Sequence, residues 1–374
     1  GQSLSNIVRG TQTFLENSFA GALFTDRRFT DHDGSNTSLA ADGSLRFLPN
    51  YRFEWQVVGS HTQEPSDTTL TSGVNDLTFD GGRHTVAYDG ESYWGNAIYA
   101  SVERDARTWS FDVDYWQFSP TFRVDNGFQT RNDLRQVSTY QGLSFWPNAS
   151  WLDRIGPGVY GQMVWNYRGE KKSDYLQLWL NAQLKGQTSL EPAIEIENER
   201  FDEIDFTGLV NARLFANSNF SEPVRLGFFV SHGDRIARNL ETPQQGKGTD
   251  AEVFGTLKLW RRFLIEPSVQ YSDLFVDGGA TEVFKGFVFR ARLSLQFTRE
   301  LFARVILQWD DFGGQFSFQP LLTYRLNPFT VFYVGATSDY TDFGRRDDLD
   351  LPTQAGLTQT SRQFFLKFSY LIRL

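Results

Sequence analysis

From residue 17 onward, apolar and polar residues alternate in segments of about ten, the length a tilted strand needs to cross a bilayer. The pattern is clearest at 51–60, where Tyr51, Phe53, Trp55 and Val57 fall on one side and Arg52, Glu54 and Gln56 on the other. At 108–118 the same period sets Trp109, Phe111, Val113 and Tyr115 against Ser110, Asp112 and Asp114. Further candidate strands are 17–29, 36–48, 94–103, 133–146, 158–168, 174–185, 189–199, 206–216, 224–232, 252–261, 263–275, 284–297, 301–310, 316–325, 330–338 and 361–374. A helical reading fails, because period two persists and Gly and β-branched residues sit where a helix would be weakened.

The last of these segments has one oily face. Phe364, Leu366, Phe368, Tyr370, Ile372 and Leu374 lie on one side, with only Phe365 and Leu371 breaking the polar alternation opposite. A terminal amphipathic strand rich in rings is how an outer-membrane barrel closes on its first strand and addresses the barrel-assembly machinery. The connections sort by length. Joins at Pro49-Asn50, Asp105-Ala106, Thr298-Arg299-Glu300 and Asn327 are tight, whereas 62–93, 119–132, 233–251 and 339–359 are long. Short periplasmic turns and long outside loops are the signature of outer-membrane barrels. The expected fold is therefore all-β: a transmembrane antiparallel up-and-down β-barrel of about 18 strands (about 16–20), in an outer membrane, with both termini periplasmic. Residues 1–16, mixed and polar, read as a periplasmic lead-in segment, and 17–374 as the barrel; the loop 62–93 has room for a short hairpin around 78–88.

Composition agrees with that picture. Aromatic residues make up 16%, with 35 Phe, 14 Tyr and 10 Trp, which suits rings placed at two membrane–water boundaries. No apolar run approaches the roughly 20 residues of a membrane helix. A net charge of -9 argues against nucleic acid as a partner, and the absence of Cys excludes a disulfide framework or thiol-ligated metal. The expected partners are outer-membrane lipid and a periplasmic or surface protein.

Assigning the apolar parity to lipid leaves a charged lumen. Arg290, Arg292, Arg304 and Arg325 sit on three consecutive strands and form a basic patch, while Asp112, Asp114, Glu195 and Glu197 form an acidic one. Opposed patches orient charged or sugar-like solutes at a constriction; the same groups, paired with each other or with an inserted loop, would instead stabilise a blocked interior. Trp116, Trp179 and Phe229 take the inward parity, as a slide for sugar rings or as filler. The ring-rich run from Phe118 to Arg131 is expected to pack on the rim, with an inward fold that narrows the pore as the alternative. Catalysis is not expected: His32, His61, His84 and His232 fall at strand ends or in loops, and Asp31-His32-Asp33 is the sole rim constellation worth naming. No metal or cofactor is expected either. Asp339, Asp342, Asp347, Asp348 and Asp350 lack calcium-loop spacing and surround Arg345-Arg346, as a solvated outside loop would.

Several separated motifs carry a family resemblance. They are Asp26-Arg27-Arg28-Phe29; Phe118-Ser119-Pro120-Thr121-Phe122-Arg123 with Gly127, Phe128 and Arg131; Phe297-Thr298-Arg299-Glu300-Leu301; Leu322-Thr323-Tyr324-Arg325; 328–335; and Lys367-Phe368-Ser369-Tyr370. Together they resemble the C-terminal barrel region of an uncharacterised bacterial envelope family, whose longer members carry an N-terminal domain similar to family 9 carbohydrate-binding modules. The resemblance implies a barrel, with no catalytic residues to transfer and no sugar-binding residue to carry over. It also implies that Gly1 is a cut or processed start, with the missing part attached on the periplasmic side.

The expected function is a pore or solute channel with a charge-lined lumen. The rival is a plugged, non-conducting barrel that anchors or docks a periplasmic or surface partner. The loop 62–93 separates them: folded inward on the arginines it blocks, folded outward it leaves the way open.

Overall fold

A computed structural model describes residues 2–31, 33–147, 149–260, 262–327, 329–345 and 356–371. Nineteen strands form one antiparallel up-and-down sheet, and a separate two-stranded hairpin sits in the longest connection. The chain divides into two compact units. No helix among the described residues is long and apolar enough to cross a membrane.

Unit one contains β1 (Ser3–Phe14), β2 (Ser18–Phe29), β3 (Ser35–Leu48), β4 (Tyr51–Gln63), the hairpin β5 (Thr78–Phe79) and β6 (His84–Thr85), then β7 (Ser92–Arg104), β8 (Trp109–Phe118) and β9 (Leu134–Leu143). The residues of β10 (Leu152–Trp165), β11 (Lys171–Leu184) and β12 (Thr188–Phe201) divide between the units. Unit two holds β14 (Val224–Ala237), β15 (Gln244–Leu259), β16 (Phe263–Val276), β17 (Thr281–Gln296), β18 (Leu301–Asp310), β19 (Gln315–Asn327), β20 (Thr330–Asp342), β21 (Leu357–Tyr370) and most of β13 (Ile204–Ser221).

The residues expected to be a lead-in are a strand. β1 pairs with β2 from Ser3 opposite Phe29 to Phe14 opposite Ser18, and Arg9 reaches past β2 to Asp42 on β3 at 2.6 Å. Gly21 keeps that path open, since a Cβ there would lie 3.0 Å from the Asp42 carboxylate. The adjacent pair Ile7-Val8 breaks the alternation, which hid the strand, but backbone pairing requires no alternation. β1 begins beside the 30–34 connection, at the long-loop end of unit one, whereas β21 finishes opposite Thr330 at the short-turn end of unit two.

Pairing partners share a face, so register sorts the side chains. In unit two, Phe289, Trp309 and Phe316 lie in one apolar row, and Leu322, Val334 and Leu366 in another. β21 presents Phe364, Leu366, Phe368 and Tyr370 opposite Ala336, Val334, Phe332 and Thr330, with the Phe332 and Phe368 rings 4.9 Å apart. Ile372 and Leu374 lie outside the described residues. Exposed rings such as Trp94, Trp109 and Trp151 stand near strand ends, as interfacial aromatics do.

The length rule for connections holds with exceptions. Strands β14 and β15 continue to Ala237 and Gln244, so the expected long loop 233–251 is mostly hairpin. Asp202 and Glu203, both at positive φ, join β12 to β13 with a two-residue turn at the long-loop end.

Candidate functional site

The polar face of the sheet carries the chemistry, and in unit one a connection is folded onto it. Arg27, Asn36, Thr62 and Tyr93 fall in one row across β2, β3, β4 and β7, with Ser38, Ser60 and Gly95 in the next. Residues 119–125 cross these rows on the polar side, at the long-loop end of the strands. Asn36, fully buried, donates through Nδ2 to Thr62 Oγ1 at 3.0 Å and to the Arg123 carbonyl at 2.9 Å. Its Oδ1 accepts from the Asp125 amide at 3.0 Å, and Arg27 donates to the Asp125 carbonyl at 2.9 Å. On β7 the Ser119 hydroxyl accepts from the Asn96 amide, and Thr121 donates to the Trp94 carbonyl. Gly95 makes this approach possible: a Cβ there would lie 2.4 Å from Phe122 Cα. The expected rim packing of the run from Phe118 to Arg131 is thus corrected for 119–125, which lie on the polar face itself. Small and hydroxylic residues at Ser60, Thr62 and Gly95 were the available signal in the sequence.

Arg123 ties this segment to the long loop. Its guanidinium pairs with Asp125 at 2.7 Å, approaches Glu64 at 3.7 Å, donates to the Tyr88 hydroxyl at 3.2 Å and lies over that ring. Burial opposes the charge on Arg123, but the adjacent Asp125 carboxylate more than restores it, so its pKa is raised. Burial also pushes the Glu64 carboxyl up, against the Tyr93 hydroxyl and Arg123, which pull it down. The loop between β4 and β7 is compact: the Glu64 amide donates to the Glu91 carbonyl, and Ser66 bridges Asp89. The short hairpin expected near 78–88 is present as β5 and β6. Between this loop and the crossing segment lies a cavity of about 610 Å³, walled by Phe29, Phe79, Tyr93, Phe122 and Phe128 with Arg27 at its side.

Among the described residues, Glu64, Asp89 and Glu91 each bring one oxygen within 4.8 Å of the others, a spacing that fits a metal ion. One oxygen of each is already engaged, by Tyr93 at 2.8 Å, His84 at 2.8 Å and Thr85 at 3.2 Å, while the second oxygen of Glu64 is buried with no hydrogen-bond partner. His61 contacts Ser92 Oγ at 3.1 Å and His232 contacts Thr249 at 3.0 Å. His32, Asp347, Asp348 and Asp350 lie outside the described residues. Asp339 accepts from Ser317, and Asp342 from the Gly344 amide.

The four arginines share the polar face of unit two. Arg290 stands opposite Gln308, Arg292 opposite Ile306 and Arg304 opposite Ser294, so Arg292 and Arg304 are diagonal neighbours. Arg325 sits nearer the short-turn end, opposite Val331. Arg292 pairs with Glu266 at 2.5 Å, while the Arg304 Nε is buried with no hydrogen-bond partner. The acidic residues separate. Asp112 and Asp114 share the polar face of β8, accepting from Ser101 at 3.1 Å and Tyr99 at 3.4 Å, beside Glu103, which pairs with Arg52. Glu195, in unit two, pairs with Arg213 at 3.1 Å. Glu197, in unit one, is likewise engaged. Two ring features also belong to the polar face: Trp116 against Tyr99 at 4.2 Å, and Phe215 stacked on Phe254 at 6.3 Å where Gly227 leaves room.

Comparison with solved structures reaches across nearly the whole chain. The ferric enterobactin receptor PfeA of Pseudomonas aeruginosa, in complex with enterobactin, matches with a TM-score of 0.57 at 11% identity, covering 99% of this chain and 71% of that one. The siderophore receptor PirA of Acinetobacter baumannii matches with a TM-score of 0.52 at 9% identity, covering 98% and 71%. The fold is that of an outer-membrane β-barrel. At such low identity the likeness concerns the fold alone. No protein-family model matches the chain, and no curated protein matches it.

Proposed function

We propose that this chain forms a solute passage through an outer membrane, with the polar face as its lumen wall and residues 119–132 as its constriction. The observation that carries the reading is the segment hung from Asn36 across the polar strand face. A loop that only capped the rim would have no use for a glycine at 95 and a buried amide at 36. Outer-membrane lipid would meet the apolar face, the assembly machinery would engage β21, and the long loops would face outside, with short turns in the periplasm. Arg290, Arg292, Arg304 and Arg325 would favour anions and Asp112, Asp114, Glu195 and Glu197 cations, tempered by the pairs Arg292–Glu266 and Arg213–Glu195. The neighbours named as siderophore receptors support a role in handling solutes, and no step of enzyme chemistry is part of the proposal. The resemblance to an envelope family is kept as part of it.

Single-channel recording of the purified protein in planar bilayers tests this. Stable open steps are expected, with anion preference reduced in Arg292→Ala plus Arg304→Ala. A silent bilayer despite verified insertion would sink the channel and leave a barrel that anchors a periplasmic or surface partner.

A further inference from the structure

At the short-turn end of unit two, a cavity of about 920 Å³ opens among Lys258, Arg262, Arg299 and Arg325, with Glu222 as its one lining carboxylate. Lys258, Leu264, Ser294 and Arg304 form one continuous row across β15 to β18, on the polar face. Arg299 comes from the turn between β17 and β18, and Arg262 from that between β15 and β16, where it donates to the Phe297 carbonyl at 3.2 Å. Among the described residues, Lys258, Arg299 and Arg325 have no carboxylate partner, in contrast to Arg292 and Arg213 further along the same face. Trp260, Leu264 and Phe302 supply apolar wall beside these cations.

Four cations against one carboxylate leave a surplus of three, of which a monocarboxylate would offset only one. A phosphate monoester carries a charge of about -1.5 to -2 and several strong acceptor oxygens, and arginine forks match those oxygens in pairs. The volume exceeds what a bare phosphate fills, and the ring of Trp260 is left exposed for an organic body to cover. We propose that this cavity binds a soluble organic phosphate. Bilayer headgroups meet the opposite, apolar face, so the occupant enters from water. This inference goes beyond the passage of solutes and stands or falls by binding, whether or not the protein conducts.

Calorimetric titration of the whole protein in phosphatidylcholine discs with phenyl phosphate provides the test. Saturable binding is expected, weaker at high salt and absent for phenol. Arg299→Gln plus Arg325→Gln should weaken it by at least about ten-fold, whereas Lys285→Gln, at the other end of β17 opposite Asp273, should leave it unchanged. If the double variant fails to fold, the phenol comparison and Lys258→Gln still decide. Equal binding of phenol, no saturable binding, or full affinity in the double variant would overturn the proposal. Loss of phenyl phosphate binding in phosphatidylglycerol discs would assign the site to lipid headgroups and overturn the soluble occupant.

Discussion

Gly95 and Asn36 show how much of the crossing segment's placement rests on single residues. Replacing Gly95 with Val puts atoms where Phe122 Cα lies 2.4 Å from a bare Cβ, so the segment 119–125 has to leave the wall. Gly95→Val is expected to raise single-channel conductance and to speed amide exchange across 119–125. Asn36→Ala removes the side chain that satisfies the Arg123 carbonyl and the Asp125 amide, at a cost of about 1–3 kcal/mol per group left unpaired. Glu64 adds a pH dependence. Its folded pKa is raised, so the folded state holds the proton more tightly, and this contribution to docking is full below the ordinary value of 4.5 and lost as pH rises through the folded value. Amide exchange in 119–125 should therefore quicken over that rise, and Glu64→Gln should abolish the dependence.

Strands were legible where burial on one face imposed a period of two, and illegible where it did not. The segments at 51–60, 108–118 and 301–310 were plain because apolar and charged residues alternate over most of their length, and the structure extends or trims them by only a few residues. β1 was lost because Ile7 and Val8 adjoin, and its strand character comes from hydrogen bonds to β2 that no side-chain pattern announces. The polar-face placement of the four arginines followed from parity alone. The inward segment did not, because its fit depends on what a distant strand lacks at residue 95. Parity can be tested directly at mid-strand in β17. Phe289 belongs to the apolar row with Val269 and Trp309, while Val288 faces Asp310 on the polar side. Phe289→Arg should destabilise the folded barrel by about 2–4 kcal/mol, the penalty for a cation near the bilayer midplane, and Val288→Arg by much less because Asp310 compensates it. Equilibrium denaturation from lipid vesicles reads both.

Across the molecule, charge and rings are divided by face rather than along the chain. A chain of net charge -9 sustains an apolar exterior because its ionic groups are drawn to one side of each strand, where many are paired. Such a band matches a hydrocarbon layer of about 25 Å, so refolding yield should peak in short-chain phosphatidylcholine and fall as the acyl chains lengthen, as heat-modifiable gel mobility would report. The mounting of the inward segment has a consequence of its own. Its ties to the wall run through Ser119, Thr121, Arg123 and Asp125, and Phe128, 89% exposed, makes none of them. Bracket and tip are thus separable modules: selection can rewrite the tip without loosening the bracket, and a short epitope grafted at Gly127-Phe128 would inherit a fixed address on the polar strand face.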